Sequence, residues 1–244
     1  MYKEFLETEH RPYRMPHRPW ILTQVWRDTL FMHWPVPEQF MRPFIPEALE
    51  LDTYDGSAWL SIIHLRITNM RGRGLPLIPF MNSYLELNVR TYVVRDGIPG
   101  IYFFSLDANH LPTAAGAGIF TGLPYKLASM DYKKKKGKSC FSSRRRKTKE
   151  EFHVIYHPED LLFEAEPGTL DHWLLERYCM YSFVGKSLFR GDIHHDKWKV
   201  RRGKADITSN TLAPFLPNSV FNQKPIIHFA KRRRFMFFPL KKVK

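Results

Sequence analysis

Residues 82–108, NSYLELNVRTYVVRDGIPGIYFFSLDA, constrain the fold more than any other stretch, because they read as a β-hairpin carrying one polar stripe. In the first arm Tyr84, Glu86, Asn88 and Arg90 fall on one side, and Leu85, Leu87, Val89 and Thr91 on the other. A strand repeats every two residues, so an acid, an amide and a guanidinium project from one face. In the second arm, 101–108, the same alternation sets Phe103, Ser105 and Asp107 against Tyr102, Phe104 and Leu106. The segment Arg95-Asp96-Gly97-Ile98-Pro99-Gly100 between them is dense in turn formers. Periodicity leaves two options open for the stripe, solvent or a pocket wall.

The rest of the chain points to the same class. Aromatic residues make up 15% and sit in strand-like runs, and eighteen prolines oppose long helices. Strands are expected at 20–34 (with a bend or turn), 49–54, 58–69, 130–136, 152–156, 181–184, 187–194, 198–201, 226–230 and 235–238. A short helix suits 37–44. The strongest helix follows Thr169, an N-cap candidate, with Leu170, Trp173, Leu174 and Arg177 at helical spacing. The small-residue run 110–122 reads as a short helix or a tight loop. With no repeat and no clean linker, one domain over 1–244 is the simplest organisation, and 244 residues suit a single β-barrel.

The formal charge of +14 resembles a nucleic-acid footprint until it is located. Residues 133–149 carry ten Lys or Arg and no acid, and residues 231–244 carry seven and no acid. Setting those aside leaves 21 bases against 24 acids. The basicity therefore belongs to a loop or hairpin tip and a C-terminal tail, and not to a dedicated binding face. Phe141 and the phenylalanines at 235, 237 and 238 could stack on bases, but no nucleic-acid-binding fold is recognisable, so nucleic acid is the less favoured partner.

Cys140 and Cys179 are too few for a disulfide scaffold, and Cys140 lies among cations in an expected exposed loop. No signal peptide and no transmembrane segment are read, and a cytoplasmic location is expected. His194-His195-Asp196 and the pair His153/His157 raise metal binding, but they lack the carboxylate signatures of known metal motifs, so no metal is expected. The glycines at 116, 118 and 122 are out of register for a dinucleotide fingerprint, and no cofactor is expected. Lys126, beside Tyr125 and after Pro124, could be a buried Schiff-base amine or an ordinary surface charge.

RPW at 18–20, QVWRDTLFMHWPVP at 24–37, LDTYDGSAWL at 51–60, LELNVRTYV at 85–93, GIYFFSLDA at 100–108, LPYKLASM at 123–130 and GTLDHWLLERYCMY at 168–181 resemble the YqjF-type uncharacterised proteins. That bacterial family is placed in the acetoacetate decarboxylase-like superfamily, and the resemblance runs from about 19 to 198. It implies a mainly β fold: a cone-shaped, largely antiparallel β-barrel enclosing a cavity, with a few short helices. It also turns the stripe inward, because acetoacetate decarboxylases place a strand glutamate in the cavity and Glu86 is similar in placement. Those enzymes carry a Pro-Lys-Lys run whose first lysine forms an imine while the second depresses its pKa. Here the stretch reads Pro124-Tyr125-Lys126, so the resemblance puts a tyrosine, which forms no imine, at the nucleophile position.

The expectation is therefore an internal pocket for a small carboxylate or carbonyl compound, with Glu86, Tyr125 and Lys126 as catalytic candidates and Arg90, Asn88 and Asp107 as ligand-binding ones. Any catalysis would be lyase-like acid/base chemistry on a small keto or carboxylic acid. A non-catalytic ligand-binding or polyanion-interacting protein is the alternative, and an intact lyase or hydratase on the decarboxylase template a third. Further copies of the chain, as a homo-oligomer, are an open option.

Overall fold

A computed structural model of the chain describes residues 5–77, 82–110, 112 and 121–243. The long strands are β1 (Leu22–Pro37), β3 (Ser57–Gly72), β4 (Tyr84–Arg95), β5 (Ile98–Ala108), β6 (Tyr125–Lys135), β7 (Lys138–Arg145) and β8 (Glu151–Glu164), then β9 (Cys179–Val184), β10 (Ser187–His194), β11 (Lys199–Asn210) and β12 (Ile226–Phe237). Short strands β2 (Glu50–Leu51) and β13 (Lys241–Lys242) and helices α1 (Glu38–Met41) and α2 (Leu170–Leu175) complete the named elements. The expected helix or loop at 110–122 lies mostly outside the described residues.

The opening hairpin forms as read. Asp96 and Gly97 both hold positive φ (51° and 70°), the two-residue Asp-Gly turn whose twist matches that of its strands. One irregularity escapes the sequence. Val89 lies opposite Ser105 while Arg90 lies opposite Phe103, so Phe104 is an extra residue in β5. This β-bulge breaks the alternation and puts Phe103 and Ser105 on opposite faces, contrary to the expected common face.

Hydrogen bonding closes the sheet on itself twice. Strands β4-β5-β6-β7-β8-β11-β12-β1-β3 form one ring, since β4 pairs both β3 and β5. Strands β9 and β10 bridge β5 to β12 and close a smaller ring over the same β12-β1-β3-β4-β5 wall. Pairing is antiparallel except for β5 with β6 and with β9. The mainly β, largely antiparallel barrel with few helices is thus the fold that forms.

The shared wall is buried on both faces. Leu87 and Val89 pack with Leu30, Ile62, Phe141 and Val154 in the larger ring. On the other face Tyr84 packs with Phe31, Ile63, Trp198 and Phe235. The polar stripe of β4 belongs to this second face, so it looks into protein.

The basic segments are more ordered than a loop and a tail. Of the two readings of 133–149, the hairpin tip forms and the loop does not: β6 turns at Lys136-Gly137 and continues as β7. The supposed tail at 231–237 is the second half of β12, paired with β1. Arg233 there is buried, ion-paired with Asp196 and stacked over Trp198. Lys133, Lys134 and Lys135 of β6 and Lys231 and Arg232 of β12 are all exposed while Arg233 turns inward, so a charge run does not exclude a strand.

Thr169 caps α2 by accepting from the His172 amide (3.3 Å). Thr169→Ala is expected to cost about 1 kcal/mol, read as a lowered urea midpoint with an unchanged slope.

Candidate functional site

Glu86 leaves β4 into the second core and is only 4% exposed. Asn88, two residues along the same face, donates from Nδ2 to Oε1 at 3.3 Å. The Tyr125 hydroxyl donates to Oε2 at 3.2 Å. Tyr125 reaches it because β6 runs parallel to β5 with Tyr125 opposite Leu106, which lies opposite Asn88. Burial pushes the Glu86 carboxyl up to about 7, although the Asn88 and Tyr125 hydrogen bonds favour its charged form. Burial likewise holds the Tyr84 and Tyr125 phenols well above their usual range. The result is a carboxyl poised to gain or lose a proton near neutrality, beside two phenols that stay protonated.

Arg90 lies further along the stripe, 5% exposed, with its Nε buried and unpartnered among the described residues. Burial, the largest influence, and the nearby Arg177 both press its pKa down. The two guanidiniums line one small cavity of about 50 Å³, walled by Trp26, Phe103, Trp198 and Phe235 among others. Arg177 has a carboxylate partner, Asp52 at 2.6 Å, yet its Nη2 is also unpartnered. Beside Arg90, a buried Ser61 hydroxyl bridges His33 Nδ1 (2.6 Å) and the Tyr92 hydroxyl (2.7 Å). Burial holds His33 well below its ordinary pKa, so it adds no cation there. A cleft of about 730 Å³, including Asp52, Trp173 and Glu176, shares Arg177 and Trp198 with the small cavity. A buried arginine without a counter-charge is costly, and an anion supplied by a ligand removes that cost.

Glu86, Asn88, Arg90 and Tyr125 thus share one face, but two candidates do not join them. Lys126 follows Tyr125 in β6 and therefore points to the opposite face, where it is exposed. Its amine is not on the Glu86 face. Asp107 also projects from the other face, opposite Leu87. There Arg145 Nε donates to both its oxygens (3.0 and 2.8 Å), and Arg145 Nη2 donates to Ser105 Oγ at 2.6 Å. Burial still raises the Asp107 pKa, with Arg145 opposing. Asp107 is committed to an internal ion pair and is not available to a ligand.

Sequence reading missed Arg145, hidden in a run taken as solvated, and Arg177, seen only as a member of a helical stripe. Its Nε caps α2 at the Trp173 carbonyl (2.8 Å), which is what turns the guanidinium inward. Among the described residues, no group of three or more His, Cys, Asp or Glu could hold a metal ion. No helix among them is long and apolar enough to cross a membrane.

The profile of family DUF2071, described as an uncharacterized conserved protein, matches residues 23–234. Uncharacterized protein YqjF of Bacillus subtilis (strain 168) is 42% identical over 229 residues, spanning 93% of this chain and 95% of that protein. Among solved structures, enduracididine biosynthesis enzyme MppR complexed with pyruvate superposes with a TM-score of 0.65 at 12% identity, covering 97% of this chain and 93% of that one. Acetoacetate decarboxylase from Legionella pneumophila superposes with a TM-score of 0.64 at 13% identity, covering 99% and 94%. At such identities the likeness to the solved structures is one of fold.

Proposed function

This chain belongs to the DUF2071 family, and from that premise we propose that it binds a small keto acid on the Glu86 face of β4 and moves a proton at the carbon beside the carbonyl. The observation that carries the reading is Glu86, a buried carboxyl titrating at about 7 and held by Asn88 and Tyr125. On this reading Arg90 takes the ligand carboxylate, Glu86 removes the proton, and the Tyr125 hydroxyl then turns its hydrogen bond to the developing enolate oxygen. Glu86 and Arg90 stand roughly 13 Å apart along the strand backbone, on the same face. The fold neighbour MppR, solved with pyruvate, makes pyruvate a reasonable first probe. Every named strand belongs to one hydrogen-bonded sheet, so the whole chain is taken as one domain.

The test is exchange of pyruvate methyl protons for deuterium in D2O, followed by proton NMR. Acceleration of about 10²-fold or more over buffer is expected. Pyruvate that binds without exchanging would favour the alternative, a non-catalytic binding protein. No binding at all would remove the pocket reading. Because Lys126 is exposed on the face opposite Tyr125 and Glu86, borohydride trapping with pyruvate and peptide mapping should give no adduct there. An adduct on Lys126 would restore the imine mechanism.

A further inference from the structure

Away from that site, on the β7–β8–β11 surface, a thiol, an imidazole and a hydroxyl meet. Cys140 and Ser142 alternate outward along β7, while Phe141 between them enters the core. His153 of β8 lies opposite Ser142 and reaches along the pair, placing Nε2 3.3 Å from Cys140 Sγ. Its Nδ1 is hydrogen-bonded to the Thr208 hydroxyl of β11. With Nδ1–H donating to that hydroxyl, Nε2 carries the lone pair and faces the thiol. A nucleophile, a base within reach of it and a third group orienting the base make up the arrangement that activates cysteines.

The surroundings indicate what such a thiol would meet. Cys140 is half-buried, and the ammonium-bearing Lys133 of β6 lies directly opposite it, itself paired with Asp131 at 2.7 Å. The hairpin beyond carries Lys134, Lys135, Lys136 and Lys138. A shallow cleft of about 380 Å³ adjoins His153 and is lined by Ser129, Asp131, Ser142, Arg144 and Glu151 among others. Cys179 is a built-in contrast: it is fully buried, burial pushes its thiol up to about 11, and that thiol donates to the Pro99 carbonyl at 3.4 Å.

We propose that Cys140 is a reactive thiol, activated by His153, that undergoes exchange with small anionic disulfides on this basic surface. The thiol proton passes to His153 Nε2, and the thiolate attacks one sulfur of the disulfide. A new sulfur–sulfur bond forms as the old one breaks, and the other half leaves as a thiolate, so the electrons balance without a further oxidant. Thr208 acts through His153 as a positioning residue.

The native protein and its variants are treated with 5,5′-dithiobis(2-nitrobenzoate) at pH 7, and the released thiolate is followed by absorbance. One thiol per chain should react in the folded protein, and Cys140→Ser should abolish that reaction. His153→Gln should slow it at least tenfold, Thr208→Val by a smaller factor, and 0.5 M NaCl several-fold because exposed charges are then screened. Cys179 reports on folding: a His153 or Thr208 variant that fails to fold releases two equivalents instead of one, and an unfolded Cys140→Ser protein releases one instead of none. A folded His153→Gln protein reacting within twofold of the native rate would overturn the activation. A native protein whose Cys140 does not react would overturn the site. Indifference to salt would overturn the preference for anions.

Discussion

Glu86→Gln is expected to reduce pyruvate proton exchange at least 10²-fold while making the folded protein more stable at neutral pH. Both effects follow from one cause. The folded carboxyl titrates at about 7, against an ordinary value of 4.5, chiefly because ionisation at this depth loses solvation. Below about pH 4.5 the group is neutral in both folded and unfolded chains, so the wild type and the amide variant should differ little. Between about 4.5 and 7 the unfolded chain ionises first and unfolding releases a proton. Stability contributed by Glu86 is therefore lost as pH rises through this window, to a total on the order of 3 kcal/mol. The amide variant cannot ionise and escapes that loss, and its side chain retains hydrogen-bonding capacity toward Asn88 and Tyr125. Urea unfolding at pH 4.5 and pH 8 would measure the divergence. Parallel pH dependence of the two proteins would mean that Glu86 is not raised. Loss of exchange without divergence would separate the catalytic role from the electrostatic one.

Much of this site was legible because strand parity is a strict rule. The alternation of Glu86, Asn88 and Arg90 against Leu87 and Val89 placed the three polar groups on one face, and the Asp96-Gly97 turn fixed the hairpin. Parity also held information that was not used. If Tyr125 enters a pocket from β6, Lys126 must leave it, so the two could not both line its wall. What no pattern in the sequence revealed is the bulge at Phe104, which reverses the facing of β5 and sends Asp107 to the other ring. Arg145 was illegible for a different reason. Its burial depends on β6 and β7 continuing the sheet past β5, a long-range pairing that local composition does not encode. Nine of the ten cations in that run are exposed, as a solvated segment predicts, and only Arg145 is carried inward by the pairing.

Two buried arginines on opposite faces of the same wall should respond to mutation with opposite signs. Arg145 is matched: Asp107 accepts from its Nε through both oxygens, Ser105 from its Nη2, and Glu150 lies 3.3 Å from its Nη1. Asp107→Ala leaves that guanidinium, only 3% exposed, with its main counter-charge gone, which is expected to cost about 3–5 kcal/mol. Arg90 is matched by no carboxylate among the described residues. Its Nε has no partner there, Tyr92 alone favours its charged form, and Arg177 opposes it, so the empty protein bears the desolvation of the guanidinium without a carboxylate to compensate. Arg90→Met, which keeps length and apolar volume, is therefore expected to raise stability by about 1–2 kcal/mol while weakening pyruvate binding on the order of 100-fold. Urea midpoints of the two variants and a pyruvate titration of the second supply the measurements. If Arg90→Met instead destabilises the protein as Asp107→Ala does, Arg90 has an internal counter-charge, and a ligand carboxylate is not what it awaits. If it stabilises the protein and abolishes pyruvate binding, the unsatisfied charge is the recognition element, maintained at the expense of the empty fold.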